Sequence, residues 1–147
     1  MRDQLAPIDI LLVEDSPNDV LITETALREG NIRNRLIVAR DGQEALDILF
    51  DKGADGYIPE LILLDLNLPK VDGMEVLHTI KSDPKLRLLP VIVLTTSTSE
   101  EDIVRSYELG VNTFISKPVQ FEDFIKVVAT IRDYWIVIAS LPRVRVN

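Results

Sequence analysis

Five times over, a short run of β-branched and aliphatic residues is followed by a longer amphipathic stretch. No other feature of the chain narrows its fold as much. Ile8–Val13, Leu36–Ala39, Leu61–Leu64, Val91–Leu94 and Thr113–Ile115 read as buried strands. Pro17–Glu29, Gln43–Phe50, Gly73–Lys81, Glu100–Leu109 and Phe121–Ile138 read as helices. The first helix opens on Ser16-Pro17-Asn18-Asp19, a capping hydroxyl, a proline at the first helical position and an acid in the first turn. Gly30 and Gly110 stand where helix-ending glycines belong. Regular strand–helix alternation predicts an α/β fold, a doubly wound five-stranded parallel sheet with helices on both faces. At 147 residues the expectation is one domain, 1–147, with a core of about 7–138 and a short tail, 139–147.

Composition removes several classes of function. With no cysteine and one histidine, thiolate chemistry, disulfides, cysteine zinc sites and multi-histidine metal centres are excluded. Sixteen basic against twenty-four acidic residues leave a net charge of -8, which opposes broad binding to nucleic acid. No apolar run reaches the roughly 18 residues of a membrane span. The start, Met1-Arg2-Asp3-Gln4-Leu5-Ala6-Pro7, lacks the pattern of a signal peptide. A cytoplasmic protein is expected.

In an open α/β sheet the ligand site lies beyond the carboxyl ends of the strands. Read in turn, those ends carry Glu14-Asp15, Asp65, Thr95-Thr96 and Lys117-Pro118. Three clustered acids cannot all ionise unless a cation compensates them. Oxygen ligands without histidine or cysteine suit a hard ion such as Mg²⁺. Asp65 is then a plausible nucleophile, Lys117 a cation for phosphoryl oxygens and Thr95 a hydroxyl donor. Each residue also has a bland reading. Asp15 could cap the helix from Pro17, Asp65 begin a turn, Thr95 fill a strand and Lys117 be a solvated charge. Four strand ends with compatible chemistry outweigh those readings taken singly. His78, midway along a helix, reads as a surface residue.

Leu11-Leu12-Val13-Glu14-Asp15, Leu61 to Pro69 (Leu-Ile-Leu-Leu-Asp-Leu-Asn-Leu-Pro), Asp72-Gly73, Pro90 to Thr95 and Lys117-Pro118 resemble, in order and spacing, the receiver domain of bacterial response regulators. The resemblance runs up to about Ile138. It implies a flavodoxin-like receiver fold with strand order 2-1-3-4-5, and a phosphorelay protein rather than an enzyme with its own substrate. It also implies intrinsic Mg²⁺-dependent autophosphorylation and autodephosphorylation. By motif position Asp65 matches the phosphoacceptor, and Glu14 and Asp15 the acidic pair that holds Mg²⁺. Asn67 would add its backbone carbonyl to the metal. Thr95 and Lys117 would contact the phosphoryl group, and the Lys117–Pro118 bond is expected to be cis. Thr95 and Phe114 match the switch positions; Phe114 keeps the aromatic ring of a position that is often tyrosine but lacks the hydroxyl. Asn67 and Ser97 would flank the path of the hydrolytic water. Leu94-Thr95-Thr96-Ser97, Ser106 to Asn112 (Ser-Tyr-Glu-Leu-Gly-Val-Asn) and Tyr134-Trp135 look most like the small response regulators of bacterial, especially cyanobacterial, phytochromes. A phytochrome-type sensor histidine kinase is the partner so implied.

Competing chemistries fare worse. A phosphatase of the haloacid-dehalogenase type needs an acid two residues beyond its nucleophile, and Asn67 cannot transfer a proton. A flavin or dinucleotide would meet acids in the loop Glu14-Asp15-Ser16. The remaining alternative is a receiver-fold binding module that works without phosphorylation. About nine residues after the last expected helix are too few for a helix-turn-helix, so no direct contact with nucleic acid is expected. The fifth helix is apolar over more than one face, through Val127, Tyr134, Val137 and Ile138 beyond its core stripe. Ile103 and Tyr107 on the fourth helix form a neighbouring ridge. A homodimer through the fourth and fifth helices is therefore expected, with Ile103, Tyr107, Val127 and Tyr134 at its interface.

Overall fold

A computed structural model describes residues 7–50, 58–96, 99–117 and 120–131. Strands β1 (Ile8–Val13), β2 (Asn34–Ala39), β3 (Leu61–Leu64), β4 (Val91–Thr95) and β5 (Thr113–Ser116) alternate with helices α1 (Pro17–Glu29), α2 (Gly42–Phe50), α3 (Gly73–Ser82), α4 (Glu100–Glu108) and α5 (Phe121–Ile131). The strands form one sheet in the order β2-β1-β3-β4-β5, all neighbours parallel. This is the doubly wound, flavodoxin-like architecture. Its central strands are buried on both faces, which is why β3 and Val91–Leu94 of β4 are unbroken apolar runs instead of alternating ones.

Side chains alternating along β1 feed two core layers. Leu11 and Val13 join Ile62, Leu64, Val76, Leu77, Ile80 and Val93 on the side of α2 and α3. Ile8, Ile10 and Leu12 join Leu27, Leu63, Ile92, Phe124 and Val128 on the side of α1 and α5. Helix α4 is held differently from the rest. Among its residues only Ser106 is buried, and its hydroxyl meets the Met74 sulfur of α3 at 3.7 Å. No described helix is long and apolar enough to cross a membrane.

Local signals set several boundaries. Ser16 caps α1 by accepting from the Asp19 amide at 3.2 Å, and Asp72 caps α3 by accepting from Glu75 at 2.9 Å. Gly110 turns with φ +96° after α4, as a helix-ending glycine should. Gly30 does not. Its φ is -80°, and the left-handed residue is the next one, Asn31 at φ 60°. Gly30 is required by packing instead, since a Cβ there would lie 2.9 Å from Val128 Cγ1 on α5. A 3₁₀ turn at Leu86–Leu88, absent from the pattern reading, buries Leu86 under α3. The expected extension of the last helix over 132–138, and the tail 139–147, lie outside the described residues.

Candidate functional site

All five strands point their carboxyl ends one way, and the loops there gather the charged residues. Asp65 follows β3 and is 6% exposed, while Glu14 follows β1 and is 2% exposed. Burial of two neighbouring carboxylates demands partners. The Asp65 Oδ1 accepts from the Thr95 hydroxyl at 2.9 Å and from the Asn67 amide at 3.0 Å. Its Oδ2 accepts from Lys117 Nζ at 3.2 Å. Thr95, at the end of β4, is fully buried, so its hydroxyl already lies against Asp65. The Asn67 side-chain amide reaches the same hydroxyl at 3.5 Å, the edge of bonding distance. Close approach of α3 fixes this loop: Gly73 donates to the Leu66 carbonyl, and a Cβ on it would lie 2.4 Å from the Asp65 carbonyl oxygen.

Lys117 leaves β5 with its amide bonded to the Thr95 carbonyl at 2.7 Å, which aims its side chain across the strand ends. There Nζ bonds Glu14, Asp65 and Asp19 at once, the last at 3.2 Å. Burial pulls the lysine down, but the hydrogen bond to Glu14 and the charges of Asp65, Glu14 and Asp19 outweigh it and hold Lys117 above its usual value. Burial also pushes the Glu14 carboxyl up to about 7, helped by the charge of Asp65 and opposed by Lys117. The Glu14 carboxyl thus holds a proton more readily than an ordinary glutamate, while Lys117 stays charged.

Carboxylate oxygens of Glu14, Asp15 and Asp65 lie within 4.8 Å of one another, with Asp15 exposed at the rim. Among the described residues nothing donates to the Asn67 carbonyl. An all-oxygen set with one solvent-facing acid fits a hard divalent cation that keeps part of its water. Asp15 does not cap α1; Ser16 does, which leaves the Asp15 carboxylate for other duty.

The structure brings together Glu14, Asp15, Asp65, Thr95 and Lys117 from the strand-end reading and Asn67 from the resemblance. Asp19 was missed as a member of this cluster. The reading took it only as a first-turn acid, yet the third position of a helix that starts at the end of β1 faces the same loops. Phe114 is half-buried, its side chain packed on the α2/α3 core layer. Its backbone amide donates to the Tyr107 hydroxyl of α4 at 3.2 Å. On the expected dimer face, Tyr107 is 50% exposed and Ile103 half-buried, while Val127 packs partly on the α1/α5 layer. Val104, beside them on α4, is also exposed. His78 is exposed, as expected of a surface residue. Ser97, Pro118 and Tyr134 lie outside the described residues, and with Pro118 the expected cis bond.

The family described as response regulator receiver domain matches residues 10–129. Response regulator Rcp1 of Synechocystis sp. is 45% identical over 138 residues, 92% of this chain and 94% of its own length. The crystal structure of its Mn²⁺-bound form superposes with a TM-score of 0.86, covering 93% of this chain and 100% of that one. The phosphorylated cyanobacterial phytochrome response regulator RcpA is 44% identical, with a TM-score of 0.88 over 94% of this chain and 100% of its own. A probable methanogenesis regulatory protein, FilR2 of Methanothrix harundinacea, is 44% identical over 131 residues, 88% of this chain and 84% of its own length. Fold, strand-end cluster and these likenesses agree: the chain belongs to the response regulator receiver family and is similar to the phytochrome response regulators within it.

Proposed function

We propose that the protein accepts a phosphoryl group on Asp65 from a sensor histidine kinase of the phytochrome type, with Mg²⁺, and signals by phosphorylation-dependent association with other proteins. One observation carries this reading: a buried aspartate whose two oxygens are aimed by Thr95, Asn67 and Lys117, beside two further acids. A carboxylate used only to hold structure would not need a lysine and two more carboxylates around it. The Mn²⁺-bound form of Rcp1 and the phosphorylated RcpA, both similar along nearly their whole length, support it further.

In this reading an Asp65 oxygen attacks phosphorus in line, the phosphorus–nitrogen bond of a phosphohistidine breaks, and the imidazole leaves with the bonding electrons and takes a proton. Glu14, Asp15, Asp65 and the Asn67 carbonyl would hold Mg²⁺, which when bound offsets clustered negative charge and draws the phosphoryl oxygens to the site. Lys117 gives a charged hydrogen bond to a phosphoryl oxygen in place of one it now gives to carboxylates. Thr95 turns its hydroxyl from Asp65 to the new group, and Phe114 follows as a packing switch. Loss of the phosphoryl group runs past Asn67 and Ser97. Two copies pair through α4 and α5 in the cytoplasm, where the kinase delivers phosphate.

Purified protein is given Mg²⁺ and either a phosphorylated kinase or a small acyl-phosphate donor, and the label is mapped. Label is expected on Asp65, absent from Asp65→Asn and suppressed by excess chelator. Undiminished label in Asp65→Asn, or in chelator, would overturn the proposal.

A further inference from the structure

Between α1 and α5, with Lys117 but not Asp65 in its wall, lies a cavity of about 170 Å³. Ile22, Phe121 and Phe124 give it apolar walls, while Thr23, Thr96, Asp19 and Lys117 supply the polar ones. Thr23 is 2% exposed, and among the described residues its hydroxyl has no hydrogen-bond partner. Hydroxyls in helices commonly bond back to the carbonyl four residues earlier, as Thr25 does with Leu21 at 2.8 Å. Thr23 does not. A buried polar group left this way calls for a guest that can bond to it.

Water fills the space poorly. The volume is several times the roughly 30 Å³ share of one water molecule, and a buried water needs two to four polar partners. Lys117 spends its three donors on Glu14, Asp65 and Asp19, which leaves the second oxygen of Asp19 and two hydroxyls, one of them on the exposed Thr96, too few for the several waters the volume would hold. An apolar body that expels such loosely held water gains affinity. An anionic guest would meet the Asp19 carboxylate and a cationic one the Lys117 ammonium, so the guest is neutral. The two phenylalanine rings favour an aromatic body, in offset or edge-on contact.

We infer that this cavity is a binding site for a small neutral aromatic molecule with a single hydroxyl, of the phenol class, whose hydroxyl bonds Thr23. The site shares Asp19 and Lys117 with the strand-end cluster but is separate from it, and its existence does not depend on phosphoryl transfer.

Phenol is titrated into the isotope-labelled full chain and followed by NMR, with toluene in parallel, for the wild type, Thr23→Val and Asp65→Asn. Saturable shifts at Ile22, Thr23, Phe121 and Phe124 are expected in the millimolar range, with toluene binding more weakly than phenol. Thr23→Val should weaken phenol at least fivefold and leave toluene within twofold. Asp65→Asn should bind phenol as the wild type does, which keeps this result independent of the acceptor assignment. No saturable shift at these residues, shifts centred elsewhere, or equal phenol binding by Thr23→Val would each overturn the inference.

Discussion

At the scale of single residues, the cluster is a contest between burial and pairing. Glu14 has an ordinary value of 4.5 and a folded value of about 7. Between those two, the folded chain keeps a proton that the unfolded chain has released. Its contribution to stability is therefore whole below about pH 4.5 and is lost as pH rises through 7. In chelator, unfolding free energy measured for wild type and Glu14→Gln should show the wild type losing ground to the variant over that window. A difference that stays flat, or grows the other way, would remove the burial argument. Thr95 offers a second check. Thr95→Val fits the same fully buried space but strips the 2.9 Å hydrogen bond from Asp65. A donor aimed at developing charge commonly contributes factors of about 10² to 10³. This one must first leave Asp65, so phosphoryl incorporation should slow roughly tenfold to a hundredfold. A rate within twofold of wild type would show that Thr95 has no part in the transfer.

At the scale of elements, α1 and α4 make an instructive pair. Both begin with a serine cap, Ser16 accepting from Asp19 and Ser99 accepting from Asp102 at 3.3 Å. Loss of such a cap costs about 1 kcal/mol. Helix α1 also buries Val20, Thr23, Ala26 and Leu27, whereas α4 buries Ser106 alone. The same local loss should therefore have different reach. Ser99→Ala should raise amide exchange across α4 well above that of the rest of the fold, because little else holds the helix. Ser16→Ala should lower global stability by about 1 kcal/mol without opening α1 separately. Equal local opening in both helices would mean that α4 is anchored by more than its contacts with β5 and Met74. A loosely packed helix is also the element most readily moved by a small change in contacts.

For the whole molecule, the proposed self-association would run through the face formed by α4, β5 and α5. Val104 and Tyr107 are exposed there, and the Tyr107 hydroxyl holds the backbone amide of Phe114. Acids Glu100, Glu101 and Glu108 surround them on α4, with Arg105 between. Self-association across this face has to bring apolar area together against like charge, so it should strengthen with ionic strength as that repulsion is screened. Sedimentation of wild type should show a dimer, tighter with phosphodonor and Mg²⁺. Tyr107→Ala should weaken it at least tenfold, and Tyr107→Phe much less, since the ring and not the hydroxyl would face the partner. A monomer at high concentration in every condition would assign this face to a different protein.

Much of this is legible in the chain itself. Strand β1 and helix α1 have the bounds read from the sequence, because the signals that set them are local: an apolar run, a capping serine, a proline at the first turn. The strand-end residues were legible too, since a parallel α/β sheet sends every loop after a strand to one edge. Tertiary structure decided what those residues do to one another. It buried Glu14 and left Asp15 at the rim, brought Asp19 onto Lys117 across 98 residues of chain, and made the helix-ending Gly30 also a point of contact with Val128. Among the described residues it also left the Thr23 hydroxyl without a partner, beside an open space. Spacing along a chain reports periodicity and caps, which depend on neighbours a few residues away. Burial, pairing of charges and unfilled volume depend on what packs from elsewhere in the chain, and so they appear only when the helices close on the sheet.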